Sequence, residues 1–171
     1  MRSLLLILLC VTAQAAPLSG RDLLSDKPLV VQPGAKGTVV VFLSTKCPCS
    51  NSHVALVKQL AKDFPAFAFV AVHSNRDETV AEARAYFRDF GLPVLQDEKS
   101  RLADEFKASK TPHAYVLAAG DGKVLYHGGV TNSQNGAAAD QQLLRAALED
   151  VSEGRPVRTP EARTLGCVIA R

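Results

Sequence analysis

The sequence has almost no excess of one charge sign. Its 20 lysines and arginines face 17 aspartates and glutamates, for a formal net charge of +3. No basic run or basic-aromatic stripe concentrates that excess, so a nucleic-acid partner is not expected. The chain also lacks a phosphate-binding glycine loop and a dinucleotide fingerprint, so no organic cofactor is predicted.

The N-terminal segment resembles an export signal and not a membrane anchor. Arg2 supplies a positive charge, residues 4–11 are apolar, and Ala13-Gln14-Ala15 fits the small-x-small cleavage rule. The apolar run is too short for a stable span, and no later stretch suits one, so stable membrane insertion is not expected. We predict a signal peptide over residues 1–15 and a periplasmic or secreted protein, in a compartment that permits disulfides.

The cysteine count favours redox chemistry over a disulfide scaffold. Cleavage of the predicted signal removes Cys10 and leaves Cys47, Cys49 and Cys167. Three cysteines are too few for a scaffold stapled by several bridges. An odd number in an exported chain leaves one thiol free, paired between chains, or exchanging.

The stretch around Cys47 has the pattern of a reactive thiol. Residues 39–43 form a continuous apolar run, typical of a strand buried on both faces. A short polar turn follows, and Pro48 suits the first position of a helix. Cys47 is therefore expected at a helix N-terminus, where unpaired amides and the helix dipole favour the thiolate.

The order of predicted elements indicates one α/β domain. Strands and helices alternate three times, and a β-hairpin and a last helix follow. Such alternation implies parallel strand pairing, and the hairpin adds antiparallel strands to the same sheet. We predict a domain over residues 16–154 and a tail over residues 155–171 that carries Cys167. The hydrophobic fraction of 47% is sufficient for a packed core.

Several motifs together resemble one known group of proteins. The chain is similar to the peroxiredoxin-like redoxins of the thioredoxin superfamily, related to alkyl hydroperoxide reductases and thiol-specific antioxidant proteins. The matching segments are Phe42-Leu43-Ser44-Thr45-Lys46-Cys47-Pro48, Ser50-Asn51-Ser52, Asp77-Glu78-Thr79, Pro93-Val94-Leu95-Gln96-Asp97, Thr111-Pro112, Tyr115-Val116-Leu117 and Gly166-Cys167-Val168-Ile169. The resemblance implies a thioredoxin-like fold, with a central mixed β-sheet flanked by helices, and a thiol–disulfide oxidoreductase.

The resemblance also assigns roles to individual residues. Cys47 takes the position of the nucleophilic cysteine. Thr111 and Pro112 match the substrate loop that carries a cis-proline. The implied partners are protein thiols or disulfides, or a periplasmic thiol reductant.

The partner of Cys47 stays open between two cysteines. Ser50 stands where the second cysteine of the usual pair would be, and Cys49 comes one residue early. A Cys47–Cys49 disulfide would close a small, strained and easily reduced ring. An extended tail is long enough to bring Cys167 to either cysteine. The family-like ending favours Cys167, as a resolving residue or as a tail staple.

Two other functions are alternatives. A thiol peroxidase is ranked lower, since Val40 replaces a proline of true peroxiredoxins and Thr111-Pro112 stands about where their arginine would be. A copper-binding site is the other, because Cys49 and His53 share a helix face and, with Cys47, would offer soft ligands for Cu(I).

The charged residues near the site have simpler predicted roles. Lys46 is expected to be exposed or to lower the pKa of Cys47. Asp77 and Glu78 are expected to cap a helix or to lie on a solvated face.

Overall fold

A computed structural model describes residues 17–171, and the predicted signal peptide over residues 1–15 lies outside the described residues. The described part contains nine strands and four α-helices. The strands are β1 (Leu18–Asp22), β2 (Pro28–Val31), β3 (Gly37–Leu43), β4 (Phe67–His73), β5 (Val94–Gln96), β6 (Lys110–Thr111), β7 (His113–Leu117), β8 (Val124–Gly128) and β9 (Cys167–Val168). The helices are α1 (Pro48–Asp63), α2 (Val80–Phe87), α3 (Arg101–Glu105) and α4 (Leu143–Ser152). Across residues 17–171 no helix is both long and apolar enough to cross a membrane.

Seven strands form one mixed sheet in the order β2-β1-β5-β4-β3-β7-β8. Strands β3, β4 and β5 run parallel, whereas β1 and β7 pair antiparallel with β5 and β3. β6 and β9 form a separate antiparallel pair. The predicted thioredoxin-like architecture, a mixed sheet flanked by helices with a cysteine-bearing C-terminal tail, is confirmed.

Strand β3 lies inside the sheet and is buried along its whole length. Val39, Val41 and Leu43 pack with residues of α1, α2 and α4. Val40 and Phe42 face the other layer, which includes α3 and the tail. Because both faces are covered, the end of β3 is a rigid support for the turn that leads to Cys47.

Side chains determine where two elements begin or end. Strand β1 ends at Asp22 because that carboxylate accepts hydrogen bonds from the Ser25 amide and hydroxyl and so starts a turn. Asp77 does not cap α2, which was one of its two predicted roles. The capping box of α2 is Thr79 with Glu82, while Ser74 donates a hydrogen bond to Asp97.

Candidate active site

Cys47 is the N-cap residue of α1. Its backbone is extended, with φ −88° and ψ 112°, and Pro48 opens the helix. The Cys47 Sγ accepts a hydrogen bond from the Ser50 amide, with an N–S distance of 3.4 Å. Only 1% of Cys47 is exposed. The predicted position at a helix N-terminus is confirmed, and there the free amides and the helix dipole stabilise negative charge on sulfur.

The fold brings together the three cysteines of the described chain. Cys49 comes from the first turn of α1, and Cys167 comes from β9 at the far end of the sequence. The sulfur atoms of Cys47, Cys49 and Cys167 all lie within 4.8 Å of one another. None of the three is in a disulfide. The site is therefore a cluster of three thiols from two distant segments, close enough for exchange of a disulfide among them.

The loop before β7 forms the opposite side of this cluster. The Thr111–Pro112 peptide bond is cis, as the resemblance predicted. The Cys47 thiol donates a hydrogen bond to the Thr111 carbonyl oxygen at 3.2 Å. The Thr111 hydroxyl is buried and has no hydrogen-bond partner among the described residues. Thr111 also favours the ionised form of Cys47, since its side chain contributes to lowering the pKa of that thiol.

The three thiols differ in acidity. Burial opposes ionisation of Cys47, but the nearby Cys167 thiol, the nearby Thr111 side chain and the Ser50 amide outweigh it and lower the pKa of Cys47 to about 7. Burial raises the pKa of Cys49, and the neighbouring Cys47 charge adds to that rise. The pKa of Cys167 is also raised, first by burial and then by its contact with Cys47. Cys47 is thus the most acidic thiol of the cluster, and the thiolate is the form in which a cysteine reacts.

Alkylation of reduced Cys47 should follow a titration with a midpoint near pH 7. At that pH roughly half of Cys47 is thiolate, against about 3% of an ordinary thiol of pKa 8.5. Iodoacetamide labelling across pH, with the modified peptide quantified by mass spectrometry, measures this midpoint. Cys167→Ala should move it upward because a donor to the thiolate is lost. An ordinary midpoint in the unaltered protein would contradict this assignment.

A buried carboxylate holds the turn that precedes Cys47. Glu78 accepts hydrogen bonds from the Ser44 hydroxyl and, at 2.8 Å, from the Thr45 amide. His73 Nε2 and Asn75 Nδ2 donate to the same carboxylate at 2.9 and 3.0 Å. Burial opposes ionisation, but His73, Ser44 and Thr45 outweigh it and hold the pKa of Glu78 well below its usual range. Glu78 therefore fastens the β3–α1 turn to the segment between β4 and α2.

The prediction that Glu78 lies on a solvated face or caps a helix is wrong. Its side chain is fully buried, while the helix beside it is capped by Thr79. The sequence carries one weak signal for this role, since Glu78 directly precedes the capping box. Lys46 is exposed, which was one of its two predicted roles. Its ammonium group donates to the Asp77 carbonyl and lies 3.8 Å from the Glu82 carboxylate.

His53 does not join Cys47 and Cys49 as a third metal ligand. Its ring is completely buried. Nδ1 donates to the Cys49 carbonyl oxygen at 2.7 Å, and Nε2 lies 2.8 Å from the Thr131 hydroxyl. Burial lowers the pKa of His53, which keeps the ring neutral. His53 therefore supports the first turn of α1, and the structure puts Cys167 where the sequence suggested a histidine.

A cysteine at the start of a helix that follows a central strand, beside a cis-proline loop, is the arrangement of a thioredoxin-like protein. The chain belongs to the thioredoxin-like family, whose match covers residues 34–124 and so just over half of the 171 residues. A comparison with curated proteins finds no match.

Solved structures extend the likeness to almost the whole chain. An uncharacterised conserved protein from Geobacillus kaustophilus is 28% identical, with a TM-score of 0.79 over 94% of this chain and 91% of its own. A hypothetical protein from Sinorhizobium meliloti is 24% identical, with a TM-score of 0.77 over 92% of both chains. A secreted disulfide oxidoreductase from Mycobacterium tuberculosis shares the fold at 20% identity, with a TM-score of 0.59 over 78% of this chain and 95% of its own.

Proposed function

We propose that the protein is a thiol–disulfide oxidoreductase in which Cys47 attacks disulfides and Cys167 resolves the product. The observation that carries the proposal is the cluster of three sulfurs within 4.8 Å around a cysteine at a helix N-terminus. Membership of the thioredoxin-like family supports a redox role. The likeness to a secreted disulfide oxidoreductase agrees with it at the level of fold.

The reaction has two balanced steps. The Cys47 thiolate attacks one sulfur of a disulfide, forms a mixed disulfide with that half and releases the other half as a thiolate. Cys167 then loses its proton and attacks the Cys47 sulfur, which gives a Cys47–Cys167 disulfide and releases the second half as a thiolate. The protein loses two electrons and the substrate disulfide gains them, so an external dithiol must reduce the protein for another turnover.

The pKa pattern suits this order of events. Hydrogen bonding and charge from Cys47 raise the pKa of Cys167, after the larger effect of burial. Formation of the mixed disulfide consumes the Cys47 thiolate and removes both influences. Cys167 is therefore easier to ionise at the moment when it has to attack.

Cys167 is a better partner for Cys47 than Cys49 is. A Cys47–Cys49 bond would span only Pro48, whose ring fixes the backbone between the two cysteines. Cys167 approaches from β9, a separate element that is free of that constraint. We assign Cys49 as a third thiol that lies beside the reacting pair.

The proposed setting is outside the cytoplasm, with protein thiols or disulfides or an exported thiol reductant as partners. The signal pattern over residues 1–15 supports export. A Cys47–Cys167 pair needs a compartment in which disulfides persist.

Reaction of the reduced protein with a slight excess of glutathione disulfide tests the proposal. The expected result is release of two glutathione molecules per chain and a protein mass that shows an internal disulfide. Cys167→Ser should release one molecule and keep the other as a stable mixed disulfide. Absence of any reaction with glutathione disulfide, by a protein whose thiols are reduced, would contradict the proposed function.

Cu(I) binding is a second candidate, supported by the three convergent sulfurs. Cu(I) prefers soft thiolate ligands. The ligand set suggested by the structure is Cys47, Cys49 and Cys167, in place of the set with His53. Anaerobic titration should then give one tightly held Cu(I) per reduced chain, and both Cys167→Ser and prior oxidation should release it. Peroxide reduction ranks below both, because among residues 17–171 no cationic side chain contacts Cys47 to polarise a peroxide.

A further inference from the structure

The C-terminal tail is paired to the loop that faces Cys47. Thr111 lies opposite Cys167 and Lys110 opposite Val168 in an antiparallel register. The Ile169 amide continues this pairing by donating to the Ser109 carbonyl oxygen at 3.0 Å. A Cβ atom on Gly166 would lie 1.9 Å from the Thr111 carbonyl oxygen, so only glycine permits this approach. Residues 166–169 thus lie as an added strand along the β6 edge.

The tail is anchored by the residues that follow its exposed Val168. Ile169 is 4% exposed and packs in the core layer of Val40 and Phe42, whereas the neighbouring Val168 is 71% exposed. The Arg76 amide donates to the Ala170 carbonyl oxygen at 2.9 Å. The Arg171 guanidinium lies 2.7 Å from the Asp104 carboxylate. Alternation along the tail therefore directs Cys167 and Ile169 inward and Val168 outward.

The β6 edge, which the tail occupies, lies next to Cys47 and has the geometry to pair with an extended chain. An edge strand has backbone donors and acceptors that a further strand can satisfy. Any chain that pairs there in the register of the tail places the residue opposite Thr111 beside Cys47. In the tail that residue is Cys167. An external polypeptide with a cysteine disulfide at the same register would present its sulfur to Cys47 in the same way.

We propose that residues 166–171 are a built-in competitor strand for extended polypeptides that carry a disulfide. The inference rests on the proposed function and deepens it, since it names the element that regulates access to the same site. The tail shields Cys47, which is 1% exposed, and a polypeptide gains the β6 edge only when the tail leaves it. After the tail returns, Cys167 is in place to resolve the mixed disulfide.

Binding of a labelled peptide to the full-length reduced chain tests the competition without any redox step. The peptide has the sequence of residues 164–171 with Cys167→Ser, and binding is followed by fluorescence anisotropy. Ile169→Asn in the protein removes the buried anchor of the tail, and Val168→Asn is the matched control at the exposed neighbour. The expected result is at least about tenfold tighter binding to the Ile169→Asn protein than to the other two. A peptide with Gly166→Val should not bind.

Equal binding to all three proteins, or no binding to the Ile169→Asn protein, would overturn the competitor role. Circular dichroism checks that each variant is folded, and Ile169→Ala serves as a second, milder anchor variant. A second measurement uses the unlabelled peptide of residues 164–171 with its cysteine kept and oxidised to a disulfide. The rate at which the protein exchanges with this peptide disulfide is compared with its rate of exchange with glutathione disulfide. The ratio of the two rates should rise in the Ile169→Asn protein, and an unchanged ratio would contradict the inference. Failure to react with either disulfide would refute the proposed function instead. The result of the binding experiment does not depend on that outcome, because binding involves no redox step.

Discussion

Cys47→Ser is expected to abolish exchange with glutathione disulfide, down to the rate of the uncatalysed reaction. The serine hydroxyl is not ionised near neutral pH, and only a thiolate attacks disulfide sulfur at a useful rate. Neither of the other thiols replaces it, because burial raises the pKa of both Cys49 and Cys167. The rate of glutathione release by the reduced protein at neutral pH measures the effect.

The other two cysteines provide the controls for this prediction. Cys49→Ser should keep both steps, and Cys167→Ser should keep only the first and accumulate the mixed disulfide. Each of the three serine substitutions replaces one sulfur atom by oxygen. Differences between the variants therefore show which thiol attacks the disulfide and which thiol resolves the product. Substantial exchange by the Cys47→Ser protein would assign the attack to a different thiol.

Glu78→Gln is expected to destabilise the fold by about 2–4 kcal/mol at neutral pH. The estimate lies between the cost of a buried unsatisfied group and that of a broken buried charge pair. An amide presents a donor where the carboxylate accepts from Ser44, Thr45 and His73, so at least one of these partners loses its acceptor. Because the turn before Cys47 loosens, the exchange rate should fall as well. Urea unfolding of the reduced protein measures the stability change.

Glu105→Gln is the matched control, since Glu105 is exposed and its one ion pair within the described part of the chain is with Arg101, four residues away. Its effect should stay within about 0.5 kcal/mol. The effect of Glu78→Gln should also depend on pH. The pKa of Glu78 is lowered by folding, so its contribution is complete above the unfolded pKa of about 4.3 and is lost as the pH falls further. A pH-independent difference between Glu78→Gln and the unaltered protein would contradict the network described here.

The part of the site that is local in sequence could be predicted. The apolar run, the polar turn and Pro48 fix a strand, a turn and a helix start within a few residues, and these place Cys47 at the N-cap. The alternation of strands and helices likewise indicates the mixed sheet. Both inferences depend on backbone preferences and burial patterns, which neighbouring residues determine.

The remaining part depends on contacts between distant segments. Chain length permits Cys167 to reach Cys47 but does not select the β6 edge, which the close fit of Gly166 and the burial of Ile169 determine. Glutamate is usually found at the protein surface, so the sequence gives no reason to expect Glu78 inside. Only the folded chain shows that Glu78 joins the Ser44 turn to His73. His53 has the spacing of a ligand, but its partner Thr131 is far away in the sequence.

Peptide mapping of the disulfide formed by limited oxidation tests the central claim most directly. The reduced protein is treated with one equivalent of glutathione disulfide, free thiols are alkylated at low pH, and the linked peptides are identified by mass spectrometry. The account predicts a single internal disulfide between Cys47 and Cys167, with Cys49 alkylated. A Cys47–Cys49 disulfide with Cys167 alkylated would contradict the role assigned to the tail.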